Sequence, residues 1–303
     1  MRRVSIVFCL LVATSASAQV ARVFLAGTGN DAGDCTNQAT PCRSLQGAVT
    51  ACPINGEIII LDNGGYGGAT ITKSLTVNAS AGVVAFIART ITVNISANDK
   101  VVLRGLSMNG KVFGDGFGIE FSGGGTLVVE NSTIAGFATG AGIDQTAGGS
   151  NLIVNNCELR NNIIGVRTAT GSDTNSNVVI ENSRFEYHSL FAVESNGGTT
   201  NVSVRNSLLA NGSGGVFAYG QSQSQPALIV VDTCTIAHNL EGLHAEIAGT
   251  GSATIRVTNS TIYHNGSGMV LTGAGAAIES YGNNRVTANT NNSTFSGTVL
   301  ALQ

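Results

Sequence analysis

A four-residue pattern that returns about every two dozen residues limits what this chain can fold into. Asn131-Ser132-Thr133-Ile134 comes back as Asn156-Cys157-Glu158-Leu159, Asn182-Ser183-Arg184-Phe185, Asn206-Ser207-Leu208-Leu209, Thr233-Cys234-Thr235-Ile236, Asn259-Ser260-Thr261-Ile262 and Asn283-Asn284-Arg285-Val286. The steps are 25, 26, 24, 27, 26 and 24 residues, a regularity that marks a solenoid. Such a chain buries its apolar residues only by stacking one turn on the next.

Each repeat phases as three short strands. In the first, pairs such as Leu127 and Val129, Val178 and Ile180, and Ile255 and Val257 take inward positions, because side chains alternate between the faces of a strand. A third apolar point follows the Asn-Ser corner, at Ile134, Leu159, Phe185, Leu209, Ile236 and Ile262. A Gly-apolar pair makes the last wall, as in Gly142-Ile143, Gly165-Val166, Gly215-Val216 and Gly242-Leu243. Three parallel strands per turn predict an all-β fold, a parallel β-helix of about ten coils. The Asn column is read as a structural ladder, since Asn tolerates a left-handed backbone. The Ser/Cys column beside it suits a tight interior corner.

The N-S-x-I … N … G-[IV] pattern, clearest at Asn259-Ser260-Thr261-Ile262 … Asn265 … Gly268-Met269, resembles the right-handed parallel β-helix repeat of the pectin-lyase-like superfamily. The resemblance covers roughly Gly56 to Asn289. It implies the fold and leaves the activity open, because one architecture hosts many functions. The N-T-D, D-D and G-H-G motifs of polygalacturonase-like hydrolases are missing from the sequence, and so is the Arg-containing signature of pectate-lyase-like enzymes. For a lyase the resemblance implies calcium; otherwise no cofactor is expected.

The ends read differently from the middle. Met1 to Ala18, with Arg2-Arg3, an apolar run and Ala16-Ser17-Ala18, is a secretory signal peptide by pattern, so an exported protein without a membrane span is expected. Residues 19–56 are read as a strand, a Gly/Asp/Asn-rich loop and a helix opening at Pro41 that lids the core; residues 57–303 as the β-helix. Cys35 and Cys42 are the expected disulfide, Cys157 and Cys234 small buried residues too far apart to bond, and the partner of Cys52 stays open. No Cys/His spacing suggests a metal site. A formal charge of −3 with only three lysines argues against a nucleic-acid partner.

The residue after each Gly-apolar pair faces outward, giving the column Glu120, Asp144, Arg167, Glu194, Phe217, His244 and Val270. Two residues on comes a second column that includes Tyr219 and Glu246. With coils about 4.8 Å apart, Arg167, Glu194, Phe217, Tyr219, His244 and Glu246 form one candidate patch for a polysaccharide or cell-surface glycan. Asp144, Arg167, Glu194 and His244 are the candidate catalytic groups if the patch turns its ligand over. Three readings remain at this point: glycan binding without turnover, a divergent lyase or hydrolase, and a structural or adhesive surface protein with a solvated face. Opposite charges at equivalent positions, Glu158 with Arg184, Arg160 with Glu186, and Glu181 with Arg205 and Asp232, are expected to help specify register.

Overall fold

The computed structural model describes residues 21–222, 225–291 and 293–301, so the leader and its Cys9 lie outside the described residues. Thirty strands and one helix are described, and the strands form three parallel sheets of eleven, nine and ten strands. Each strand of the nine-stranded sheet belongs to a different coil, giving nine complete three-strand coils and partial turns at both ends, slightly fewer than the ten expected. The inward columns line a continuous core: Leu127, Val129, Ile134, Ile143, Leu152, Val154 and Leu159 are all fully buried, and the pattern repeats to Ile262. Burial of each such side chain contributes roughly 1.5–3 kcal/mol.

Corner chemistry explains why the repeat reads as it does. Asn131, Asn156, Asn182, Asn206 and Asn259 hold φ between 46° and 52°, the left-handed region that Asn enters more readily than other side-chain-bearing residues. The following Ser does more than fill space. Ser183 Oγ donates to its own strand at Glu181 O (2.8 Å) and accepts the Cys157 N–H of the previous coil (3.1 Å). Ser207 and Ser260 repeat both contacts, so the column is a hydrogen-bonded ladder as well as a small-residue corner. Cys157 and Cys234 stand in it as unpaired buried thiols, three coils apart, and burial pushes both up to about 11. The repeated glycine of the last wall has its own cause. A Cβ on Gly142, Gly165 or Gly215 would lie 2.9, 2.4 or 2.4 Å from a backbone carbonyl oxygen of the next coil.

A second ladder runs through the opposite corner. Asn162, Asn239 and Asn265 are buried, and each donates Nδ2 to a carbonyl of the preceding coil while its Oδ1 accepts a backbone N–H. His188 takes the equivalent place: its Nε2 lies 3.1 Å from Leu159 O and its Nδ1 has no hydrogen-bond partner.

Segments outside the coils cover part of each end. The helix, Leu45–Ala51, is capped by Ser44, whose Oγ accepts the Gly47 N–H, and it buries Leu45, Ala48 and Val49. Pro41 lies before it, not at its opening as the sequence suggested, because Ser44 supplies the cap and Asp31 Oδ1 accepts the N–H groups of Arg43 and Ser44. The disulfide Cys35–Cys42 forms as expected. Its two cysteines bracket the strand Arg22–Leu25: Phe24 N–H donates to Cys35 O and Phe24 O accepts from Cys42 N–H, both at 2.8 Å. Gln46 Oε1 likewise accepts the Thr70 N–H at the edge of the nine-stranded sheet. At the far end Ser296 and Leu300 donate their N–H groups to Ile278 O and Ser280 O, and Phe295 packs on the core.

The charge pairs hold the expected register but not all the expected contacts. Arg205 bridges Glu181 (3.3 Å) and Asp232 (3.5 Å) across coils. Arg184 instead chelates Glu186 two residues along its own strand, and Arg160 turns to Glu158 in the same way. A bidentate fork on one carboxylate is stronger than a single contact to the next coil.

Two predictions follow from the corners. Thr233 is the β-branched exception in the Asn column, at φ 54° and exposed. Thr233→Asn removes that backbone strain and is expected to stabilise the protein by about 1 kcal/mol, read as a rise in Tm. Burial also lowers the pKa of His188 to about 4, against opposing contacts with the Asn162 and Leu159 backbone. Between the unfolded value of about 6.5 and that folded value the unfolded chain binds the extra proton, so stability falls as pH drops, by up to about 3 kcal/mol. His188→Asn, which restores the ladder residue, should flatten the stability profile across that window; an unchanged profile would assign the acid sensitivity to other groups.

Candidate functional site

The candidate patch lies on the outward face of the nine-stranded sheet. Strand register aligns Glu120, Asp144, Arg167, Glu194, Phe217, His244 and Val270 in one column, and Asn196, Tyr219, Glu246 and Thr272 in the next. The structure therefore brings the sequence-derived candidates together, and it adds neighbours that change their chemistry.

Arg167 is not a free cation. Its Nε and Nη2 grip Asp144 Oδ1 and Oδ2 at 2.7 and 2.9 Å, and the Phe117 ring lies 5.6 Å from the guanidinium carbon. The bond to Asp144 raises the arginine pKa further, so Arg167 is unsuited to act as a base. Asp144 and Glu194, placed on an outward face by their phase, are only 1 % and 5 % exposed. Burial raises the Glu194 pKa, while the Asn196 amide, donating at 2.8 Å, and the nearby Arg167 oppose the shift. These two carboxylates are withdrawn from water, while the rest of the column is more open.

The aromatic half is a stack of rings. Phe191 and Phe217 lie face to face with centroids 4.5 Å apart, Phe217 and Tyr219 are 5.8 Å apart, and His244 meets Phe217 edge-on at 5.0 Å. Phe191 escaped the sequence reading because it sits one residue before the Ala192-Val193 pair, at a corner. Its ring reaches the next coil only because Gly214 has no side chain, since a Cβ there would lie 2.1 Å from Phe191 Cδ1. One face of Phe217 is thus spent on Phe191, and Tyr219 is left to offer ring surface to a ligand. Both nitrogens of His244 are engaged, Nδ1 with Glu241 Oε2 at 2.9 Å and Nε2 with Thr272 Oγ1 at 3.1 Å.

Calcium does not suit this arrangement. Both Asp144 oxygens are committed to Arg167, and among the described residues no group of three or more His, Cys, Asp or Glu side chains could hold a metal ion. No described helix is long and apolar enough to cross a membrane.

With this geometry in hand, comparison with known proteins is informative about family. A model described as "Right handed beta helix region" matches residues 55–226 and 165–301. The chain belongs to the right-handed β-helix family. Its fold is that of the pectin-lyase-like superfamily. Among solved structures it is similar to the pectate lyase Pel9A, with 15% identity, a TM-score of 0.54, and 93% of this chain and 82% of that chain covered. A complex of XylC with xylose gives 9% identity and a TM-score of 0.49 over 82% and 69% of the two chains. A rhamnogalacturonan lyase gives 11% and 0.43 over 89% and 86%. No curated protein matches the sequence. The likeness to the pectate lyase concerns the fold alone and carries no assignment of individual residues.

Gly214→Ala tests the construction of the aromatic stack. The methyl would displace Phe191 from Phe217, costing about 1–3 kcal/mol and weakening the near-UV circular dichroism of the rings. An unperturbed spectrum and Tm would contradict the close approach.

Proposed function

We propose that the protein binds a neutral glycan along the outward face of the nine-stranded sheet. The observation that carries this reading is the sum of charges on that face. Glu120, Asp144, Glu194, Glu241 and Glu246 stand against Arg167 alone, whose charge is already matched by Asp144. An acidic polymer would be repelled. A neutral saccharide would find carboxylates and the Asn196 amide to hydrogen-bond its hydroxyls, and the Tyr219 ring to pack against its apolar face. Binding in preference to turnover is supported by the commitment of the candidate catalytic groups: Arg167 to Asp144, and His244 to Glu241 and Thr272. Export of the protein, expected from the leader pattern, would place this face among extracellular polysaccharides.

One observation favours a second reading. Glu194, buried and with its pKa raised, has the character of a general acid, which a glycoside hydrolase requires. Hydrolysis by this group would release reducing ends and would be lost in Glu194→Gln with the ligand still bound.

The test is titration calorimetry against soluble gluco-, xylo- and manno-oligosaccharides beside galacturonate oligomers, with assay of new reducing and unsaturated ends. A neutral oligosaccharide is expected to bind, and Tyr219→Ala to weaken it about three- to tenfold through the lost ring contact. A hit that survives both Tyr219→Ala and Glu194→Gln unchanged would remove this face from consideration.

A further inference from the structure

The outward side of the eleven-stranded sheet carries an apolar stripe. Inside the coils Val101, Leu103, Leu127 and Val129 are fully buried, while Val102 and Val128 between them point the other way and stay partly exposed. Strand register continues that outward column through Ile153, Val179, Ser203 and Val230, one residue per coil over six coils. It ends in polar residues on both sides, Thr76 before Val102 and Arg256 after Val230. On the ten-stranded sheet the outward residues of four of these coils are Thr133, Glu158, Arg184 and Leu208, with no such run. A contiguous solvent-facing apolar stripe marks an interaction surface.

The neighbouring outward column says what fits there. Two residues on from the stripe stand Arg104, Glu130, Asn155, Glu181, Arg205 and Asp232, on the same six coils. Within the chain Arg104 pairs with Glu130, and Arg205 with Glu181 and Asp232. The midpoint of the apolar stripe lies between Ile153 and Val179. A second copy related by a two-fold axis through that point, along the strand direction, presents its coils in the opposite order. Val102 then meets Val230 of the second copy, Val128 meets Ser203, and Ile153 meets Val179.

This rotation is fixed by the apolar residues alone, yet it also matches the charges. Arg104 meets Asp232 of the second copy, Glu130 meets Arg205, and Glu181 meets the Asn155 amide. The other two-fold, along the coil axis, would set Arg104 against Lys100, which stands on the far side of Val102 in the same strand. Over the whole face Lys100, Arg104 and Arg205 balance Glu130, Glu181 and Asp232, so two such faces approach without net repulsion.

We propose that this face is the interface of a two-fold dimer of the chain, with the two rods antiparallel and their eleven-stranded sheets packed face to face. A two-fold interface must be self-complementary, and both columns meet that condition. Sheets packed in this way lie about 10 Å apart with their strand directions nearly aligned, as this axis makes them. Six coils at about 4.8 Å and strands of about 17–20 Å give a footprint of roughly 500–600 Å² on each copy. The dimer therefore covers about 1,000–1,200 Å², the lower end for a specific complex. The nine-stranded sheet is a different wall of the coil, so dimerisation is independent of glycan binding there.

Sedimentation equilibrium of the full chain over rising concentration tests the proposal, and a reversible dimer is expected. Ile153→Asp puts a charge at the centre of the contact and should weaken association about a hundredfold, with the circular dichroism spectrum unchanged because the side chain is outward. Arg104→Glu and Asp232→Arg should each weaken self-association about tenfold, since each sets like charges together twice in the dimer. Mixed in equal amounts, these two variants should recover the parent's affinity as a heterodimer, because the new acid of one copy meets the new base of the other. A defect confined to the in-chain ion pairs would persist in the mixture. A monomer up to about 1 mM, a dimer that Ile153→Asp leaves intact, or variants that fail to recover on mixing would each overturn the proposal.

Discussion

The hydrogen bond from one coil's corner N–H to the next coil's Ser Oγ is the contact on which this architecture turns. Parallel strands can slide past one another by two residues and keep their inward and outward faces, so apolar alternation alone does not choose the register. The corner does. A left-handed Asn turns the chain, and the serine after it can satisfy its own strand's carbonyl and its neighbour's N–H only when the coils are in step, as at Ser183 and Ser207. The buried asparagines at Asn162, Asn239 and Asn265 impose the same condition from the opposite corner. Two polar ladders thereby align an otherwise uniform apolar core, and the outward columns inherit the alignment.

That inheritance makes chemistry on such a surface partly legible from sequence. Asp144, Arg167, Glu194, Phe217 and His244 are 23 to 27 residues apart and share no local motif, yet counting from each Gly-apolar pair puts them in one column, as the strand register does. What counting could not supply was the behaviour of side chains once adjacent. Arg167 folding onto Asp144, Arg184 choosing Glu186 over Glu158, and Phe191 crossing Gly214 to reach Phe217 are decided by side-chain length and by missing side chains on neighbouring coils.

The sheet face gathers Glu120, Asp144, Glu194, Glu241 and Glu246 around one arginine that Asp144 already neutralises. The net charge of −3 for the whole chain conceals that local excess.

The closures at the two ends have a meaning beyond packing. Every coil exposes to its neighbour the same rows of N–H and C=O groups, so an uncovered terminal coil is a template on which another chain can add. Here Cys35 and Cys42 occupy the backbone groups of Phe24, Gln46 meets Thr70, and Ser296 and Leu300 cover Ile278 and Ser280. A short covalently closed loop is a durable stop, because it cannot peel away without opening a loop that the disulfide holds shut. The far end relies on a tail with no such bond. The rod is therefore polar in its resistance to polymerisation, locked at its beginning and merely latched at its end.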